Sequence, residues 1–234
     1  MNKTGLETVQ ERLMHSLVSF LLIGLTTTSV LAKPHQRNAS SRQVGTRTVL
    51  VLGDSLSAGY GLSRADAYPA LLAEKAAAAG ERVHIINAGV SGDTTAGAVR
   101  RLPNLLHNHH IDVLLIELGI NDAFRGIPVA QIEANLQRII DQTRARYPTV
   151  QIVIAGMQLP NYSQEDYLTA FGALYVELAR RNHAELVPFL LERVIGNPSL
   201  NLPDLIHPNA RGQSVLAANV WPALEAALRK SKQS

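Results

Sequence analysis

The 234-residue sequence contains no cysteine, which excludes a disulfide scaffold, thiol catalysis and cysteine-based zinc sites without naming a compartment. Aromatic residues make up only 5%, and the basic residues are scattered, with no run longer than Arg100-Arg101. A nucleic-acid surface needs a basic stripe or interleaved stacking rings, so the net charge of +3 and the pI near 9.3 read as solubility instead. Internal repeats, low-complexity tracts and interior Gly/Ser/Pro linkers are also missing, which leaves one domain as the expectation. A chain of this size buries roughly 70% of its unfolded surface and needs no metal or bridge to hold its core.

What is present begins with a targeting pattern. Lys3 and Arg12 precede the apolar stretch Leu17-Val18-Ser19-Phe20-Leu21-Leu22-Ile23-Gly24-Leu25, and Val30-Leu31-Ala32 places small residues at the cleavage positions. Residues 1–32 therefore read as a signal peptide cut after Ala32, and the protein as exported, periplasmic or secreted. An uncleaved anchor is the alternative, but the apolar stretch falls well short of the ~20 residues that span a bilayer. Met14 offers a second start. Residues 33–46 are polar and aperiodic and read as a flexible lead-in to a domain over 47–234.

Within that domain apolar runs alternate with helical patterns, the mark of βαβ units and a parallel sheet covered on both faces. Strands are expected at 48–52, 82–87, 112–118, 150–155 and 185–188, and helices near 66–79, 94–107, 129–146, 164–182 and 210–229. In the third of these helices Ile132, Leu136, Ile139, Ile140 and Thr143 form one apolar stripe. The expectation is α/β, a three-layer α/β/α sandwich. Ligands of open parallel sheets bind beyond the carboxyl ends of the strands, so chemistry is sought immediately after each strand.

Those positions hold Gly53-Asp54-Ser55-Leu56, Ala88-Gly89-Val90-Ser91-Gly92-Asp93 and Gly119-Ile120-Asn121-Asp122. A fourth block, Asp204-Leu205-Ile206-His207-Pro208, precedes the last helix and can return to the same edge. Together they supply a nucleophile, small backbone donors, a carboxamide and an acid–base pair, the inventory for acyl transfer. A serine hydroxyl needs a base within hydrogen-bond reach, and histidine is the usual one. Asp204, three residues before His207, can take Nδ1–H and leave Nε2 for Ser55. Pro208 keeps His207 out of the helix that follows, and Gly92, lacking Cβ, permits close backbone approach. Singly, Ser55 also reads as a helix cap, Asn121 and Asp204 as turn residues and His207 as a loop histidine. Their joint placement at one edge favours chemistry. Asp54 and Asp122 read as loop-ordering acceptors, Asp93 as the N-cap of the following helix, and His84 as a strand residue. His107, His109 and His110 lack the i,i+4 pairing of a helical metal site and lie at the opposite edge, so no metal is expected there.

The four blocks, in this order, resemble those of the SGNH (GDSL-type) hydrolases, and DSLSAGYGL, AGVSGDTTAGAVRRLP, LGINDAFRG and DLIHPN are similar to the bacterial thioesterase I/lysophospholipase L1/arylesterase branch. The similarity covers residues 48–229. It implies a flavodoxin-like five-stranded parallel sheet and a serine esterase with Ser55 as nucleophile and Asp204 and His207 as its acid–base pair. The Ser55 and Gly92 backbone N–H groups and the Asn121 side chain would form the oxyanion hole. No cofactor is implied. Partners would be small-molecule acyl esters, thioesters or lipids rather than nucleic acid, with no membrane insertion after signal removal. The branch often has Gly where this chain has Ile120, Ala123 and Leu205, which bears on the pocket rim and hence on substrate choice. A carbohydrate O-acetylesterase of the same constellation and a non-catalytic binding module are the alternatives; the G-x-S-x-G elbow of another serine-hydrolase fold is broken by Ser57. The loop after the fourth strand, including Leu159, Pro160 and Tyr162, leaves the sheet at the same edge and is expected to line the acyl pocket, with an ordinary surface connection as the alternative.

Overall fold

The computed structural model describes residues 45–159 and 165–232. The expected signal peptide over 1–32 and nearly all of the expected lead-in lie outside the described residues, as do Pro160 and Tyr162. Five runs rich in Val, Ile and Leu form strands β1 (Arg47–Gly53), β2 (Val83–Asn87), β3 (Val113–Glu117), β4 (Gln151–Ala155) and β5 (Glu185–Val187). All pair in parallel in the order β2-β1-β3-β4-β5. In the three inner strands nearly every residue is buried, whereas β2 and β5, at the edges, are only partly covered. Continuous rather than alternating hydrophobicity is what a strand covered on both faces requires. Each fully buried Val or Leu of this layer, such as Val49 to Leu52, stabilises the fold by about 1.5–3 kcal/mol.

The covering helices are α1 (Ser55–Ala58), α2 (Tyr68–Ala78), α3 (Thr95–Asn108), α4 (Ile120–Phe124), α5 (Val129–Arg146), α6 (Glu165–Asn182) and α7 (Ala210–Ser231). Helices α2 and α7 pack together on one face, and α3, α5 and α6 pack in turn on the other. The stripe from Ile132 to Thr143 is the buried face of α5, as its spacing predicts. In α7 the residues Leu216, Val220, Leu224 and Leu228 do the same. Helices α1 and α4, each a turn or so long, were not expected from periodicity, because four or five residues cannot display one.

This topology positions the site. The chain runs outward from β1 to β2, then crosses back over β1 to build β3, β4 and β5, so the strand order reverses between β1 and β3. Such a reversal opens a crevice at the carboxyl ends of the two strands. Ser55 follows β1 and Asn121 follows β3. The end of β1 and the loop after β2 are strapped by Arg101 of α3, which donates to the carbonyls of Gly53 at 3.1 Å and Ala88 at 2.6 Å and pairs with Asp93 at 2.7 Å. That pairing explains why Asp93 is not the N-cap of α3: its carboxylate is held by Arg101 and the Thr94 N–H. Thr94 itself caps the helix, accepting from the Gly97 N–H.

Candidate active site

Asp54 is the N-cap of α1. Its Oδ1 accepts the Leu56 N–H at 3.0 Å, which starts the turn that presents Ser55. The last helix anchors that turn from behind: Gln213, buried in α7, donates to the Leu56 carbonyl at 3.2 Å and accepts the Tyr68 N–H at 2.8 Å. Neither the Ser55 nor the Gly92 amide N–H has a hydrogen-bond partner among the described residues.

His207 reaches the serine from a loop folded as a small antiparallel pairing. Asn201 bridges Pro208, Leu202 N–H donates to the His207 carbonyl at 2.7 Å, and Asn209 N–H to that of Leu200 at 2.9 Å. Between them Leu205 adopts φ +59°, a left-handed conformation that non-glycine residues enter at a cost of about 1–2 kcal/mol. The turn thus formed lets Asp204 Oδ1 accept the N–H groups of Ile206 at 2.9 Å and His207 at 3.0 Å. Asp204 Oδ2 lies 2.7 Å from His207 Nδ1, and His207 Nε2 lies 3.1 Å from Ser55 Oγ. The hydrogen bonds from the His207 backbone and side chain, with that from Ile206, pull the Asp204 carboxyl down to about 2, so it is anionic at any physiological pH. Tyr60 lies against the outer face of the imidazole, with ring centroids 4.3 Å apart.

Asn121 lies in the first turn of the short helix α4, capped by Gly119, whose φ of +119° and contact with Tyr175, 2.4 Å from where a Cβ would stand, both demand glycine. Its Nδ2 donates to Asp54 Oδ2 at 2.8 Å. Next to it, buried Asp122 accepts the Thr95 N–H and hydroxyl at 2.9 and 2.6 Å, tying α4 to α3. Asp54 and Asp122 are therefore acceptors that order their loops. Burial pushes the Asp54 carboxyl up to about 6, against the opposing pull of the Leu56 N–H, Glu117, the nearby His207 and Asn121. Glu117, the last residue of β3, is completely buried beneath Asp54.

Beside the serine lies a cavity of about 580 Å³, within the usual range of small-ligand sites. Ser55, Asn121, Asp204 and His207 stand in its wall, and most of the remainder is apolar: Leu56, Ile120, Phe124, Leu191, Ile195 and Ile206. Leu205 lines it as well. Of the fourth-strand loop Gln158 lines it, whereas Leu159 packs partly buried against the core and is not part of the wall. Gly92 stands outside the lining, on the loop after β2, its carbonyl accepting from Arg125 at 3.0 Å. The sequence reading missed Tyr60, Glu117, Leu191 and Ile195. A lone carboxylate ending the apolar run Leu114-Leu115-Ile116 was the available signal for Glu117; the loop bearing Leu191 and Ile195 has no periodicity to read. Among the described residues no three His, Asp or Glu side chains are grouped to hold a metal, and no helix is long and apolar enough to cross a membrane.

A serine in contact with a histidine that is itself held by a carboxylate, at the switch point of a parallel sheet, defines a serine hydrolase. A profile of the GDSL-like lipase/acylhydrolase family matches residues 51–215, and the chain belongs to that family, the SGNH hydrolases, as an esterase. It is 38% identical over 185 residues to the protein named esterase TesA of Pseudomonas aeruginosa, covering 79% of this chain and 91% of that one. It is likewise 38% identical over 177 residues to thioesterase 1/protease 1/lysophospholipase L1 of Escherichia coli, covering 75% of this chain and 82% of the relative. The crystal structure titled TesA superposes with a TM-score of 0.73 at 39% identity, covering 77% of this chain and 99% of that one.

Proposed function

We propose that this enzyme cleaves acyl esters of apolar chains through an acyl-serine intermediate. Ser55 Oγ attacks the ester carbonyl as its proton passes to His207 Nε2, and the charge on the former carbonyl oxygen meets the Ser55 and Gly92 N–H groups and the Asn121 carboxamide. The C–O bond to the leaving alcohol breaks as His207 returns the proton to it. Water, deprotonated by His207, then releases the acid and the free serine. Asp204 holds the imidazole tautomer and stabilises the imidazolium. The observation that carries this reading is the unbroken contact Ser55 Oγ, His207 Nε2, His207 Nδ1, Asp204 Oδ2, with separations of 3.1 and 2.7 Å across its two hydrogen bonds.

The acyl chain occupies the cavity walled by Leu56, Ile120, Phe124, Leu191 and Ile195. This lining suits a lipid or aryl ester better than an acetylated sugar, whose hydroxyls would find few partners. The amino-terminal pattern supports export after removal of residues 1–32, and CoA thioesters are then less suited than lipid esters to be its substrates. A fluorophosphonate probe tests the nucleophile: labelling of the wild type and none of Ser55→Ala is expected, and an unlabelled wild type would favour a binding module. A series of p-nitrophenyl esters run beside acetyl-xylan tests the substrate class. Longer acyl esters should be preferred, and Ile195→Ala should change chain-length discrimination by the ~1–3 kcal/mol an apolar wall supplies. Preference for acetyl-xylan would overturn the assignment.

A further inference from the structure

The carboxyl group of Glu117 is buried beneath the nucleophile turn with its two oxygens in very different surroundings. Oε2 accepts three hydrogen bonds, from the Ser57 hydroxyl at 2.6 Å and from the N–H groups of Asp54 and Ser57, each at 3.2 Å. Ser57 spends its one proton there, so the 2.7 Å contact with Tyr68 must run from the tyrosine hydroxyl to Ser57 Oγ. The donor directions of the chain from Tyr68 through Ser57 to Glu117 are thereby fixed. Gly53 makes this packing feasible, since a Cβ there would stand 2.1 Å from Ser57 Oγ and 2.6 Å from Glu117 Oε2.

Oε1, by contrast, is buried and receives no N–H or hydroxyl donor. An ionised Glu117 would leave a bare anionic oxygen in the interior beside a second carboxylate, an arrangement that burial and like charge both oppose. A proton on Oε1 removes the difficulty, provided that it meets an acceptor. The Asp54 carboxyl belongs to the residue whose N–H donates to Glu117 Oε2, and it is the neighbouring group that can accept it.

We propose that Glu117 is a positioning residue that works in its neutral form, donating Oε1–H to Asp54 and so keeping Asp54 an anion. The charge on Asp54 decides which way the Asn121 amide faces. An anionic Oδ2 accepts only, so Asn121 must present Nδ2 to it, and its second N–H is left for the reacting oxygen. A protonated Asp54 could donate instead to the Asn121 carbonyl, and the turned amide would lose that alignment. The direction of the shift agrees: burial and the neighbouring Asp54 charge hold the Glu117 carboxyl well above the usual carboxylate range. Facing the pair are the neutral hydroxyl of Tyr68 from α2, that of Tyr175 from α6, and His207, whose positive form favours the Asp54 anion.

The inference rests on Asn121 acting as an oxyanion donor, and its test separates the two. Gln at position 117 can accept at Oε1 and donate from Nε2, reproducing the neutral acid. Glu117→Gln should keep kcat within about 3-fold of wild type at unchanged KM. Glu117→Ala frees Asp54 from its donor, and kcat should fall about 10- to 100-fold with KM little changed, a fraction of the loss expected for deleting an oxyanion donor outright. The infrared carboxyl stretch of a buried protonated acid should be present in wild type at pH 7 and absent from Glu117→Gln, a readout available even where Glu117→Ala fails to fold. A Gln variant as impaired as Asn121→Ala, or no protonated-acid band in wild type, would overturn the proposal. Full activity in folded Glu117→Ala would do the same. Should Asn121→Ala itself keep full kcat, the oxyanion reading fails, while the infrared band still reports on the Glu117 proton.

Discussion

Asp54 and Asp204 are the same side chain in opposite surroundings. Asp54 is fully buried, its carboxyl pushed up to about 6; Asp204 is 36% exposed at its side chain and its carboxyl is pulled down to about 2. Both end at a group proposed to act on the substrate: Asp204 at the His207 imidazole, Asp54 at the Asn121 amide. The difference lies in what surrounds them. Backbone and side-chain donors within a three-residue turn saturate Asp204, and water reaches it, so its charge is secure. Asp54 has donors too, but it is shut in beside a second acid, and its charge depends on where one shared proton sits. The exposed aspartate is the robust partner and the buried one the adjustable partner.

The largest expected effect breaks the comparison at its exposed end. Asp204→Asn keeps the size of the side chain but favours the wrong imidazole tautomer, and kcat should fall by about 10⁴, the loss seen when a triad aspartate is so changed. Titration of active sites with the covalent probe, so that kcat is counted per competent serine, checks this. A loss below 10-fold would mean that His207 is oriented by its backbone pairing alone.

Next comes the buried end. Asn121→Ala should lose about 10²–10³ in kcat, or about 2.7–4 kcal/mol, with KM little changed, since under the proposed mechanism its carboxamide meets charge that exists only in the transition state. Thermal melting of the same preparation separates this from a turn-shaping role, in which the variant would be destabilised but fully active.

The smallest effect sharpens the contrast through pH. Asp54 has a folded-state pKa above its ordinary 3.8, so its contribution to stability is fully present below about 3.8 and is lost as pH rises through about 6. Asp204 behaves oppositely: its contribution is present above about 3.8 and is lost as pH falls towards 2. Asp54→Asn should therefore melt higher relative to wild type at pH 7 than at pH 3.5, whereas Asp204→Asn should melt slightly lower at pH 7, the difference vanishing near pH 2. Melting curves across that range check both, and parallel shifts in the two variants would end the comparison.

The outward-facing parts of this arrangement were legible in the sequence. Ser55, Asn121 and His207 each follow an apolar run or precede a helix, and strand order in an α/β chain tells which loops share an edge. The stripe of α5 and the five strands were readable for the same reason: periodicity and continuous hydrophobicity record burial directly. Glu117 was legible only as a carboxylate within the expected strand 112–118, and only packing against Gly53 and Ser57 shows that it is sealed beneath the site. The cavity wall was legible only in part. Ile120 and Leu205 were marked by their departure from the branch's glycines, but Leu191 and Ile195 come from an irregular segment placed by contacts distant in sequence. Leu159 shows the limit of arguing from a loop's position, since neighbouring residues on one loop point to different places: Gln158 to the cavity, Leu159 to the core.

The strap from Gln213 to the nucleophile turn joins residues 157 positions apart and belongs to the last helix of the chain. Ser55 and His207 are themselves 152 positions apart, so their contact forms only when distant segments fold together. A partly folded chain thus holds the proposed nucleophile apart from its proposed base. Undocking of α7 would release the Ser55 turn from its strap, so a substitution at Gln213 should disturb the proposed Ser55–His207 contact without touching either residue.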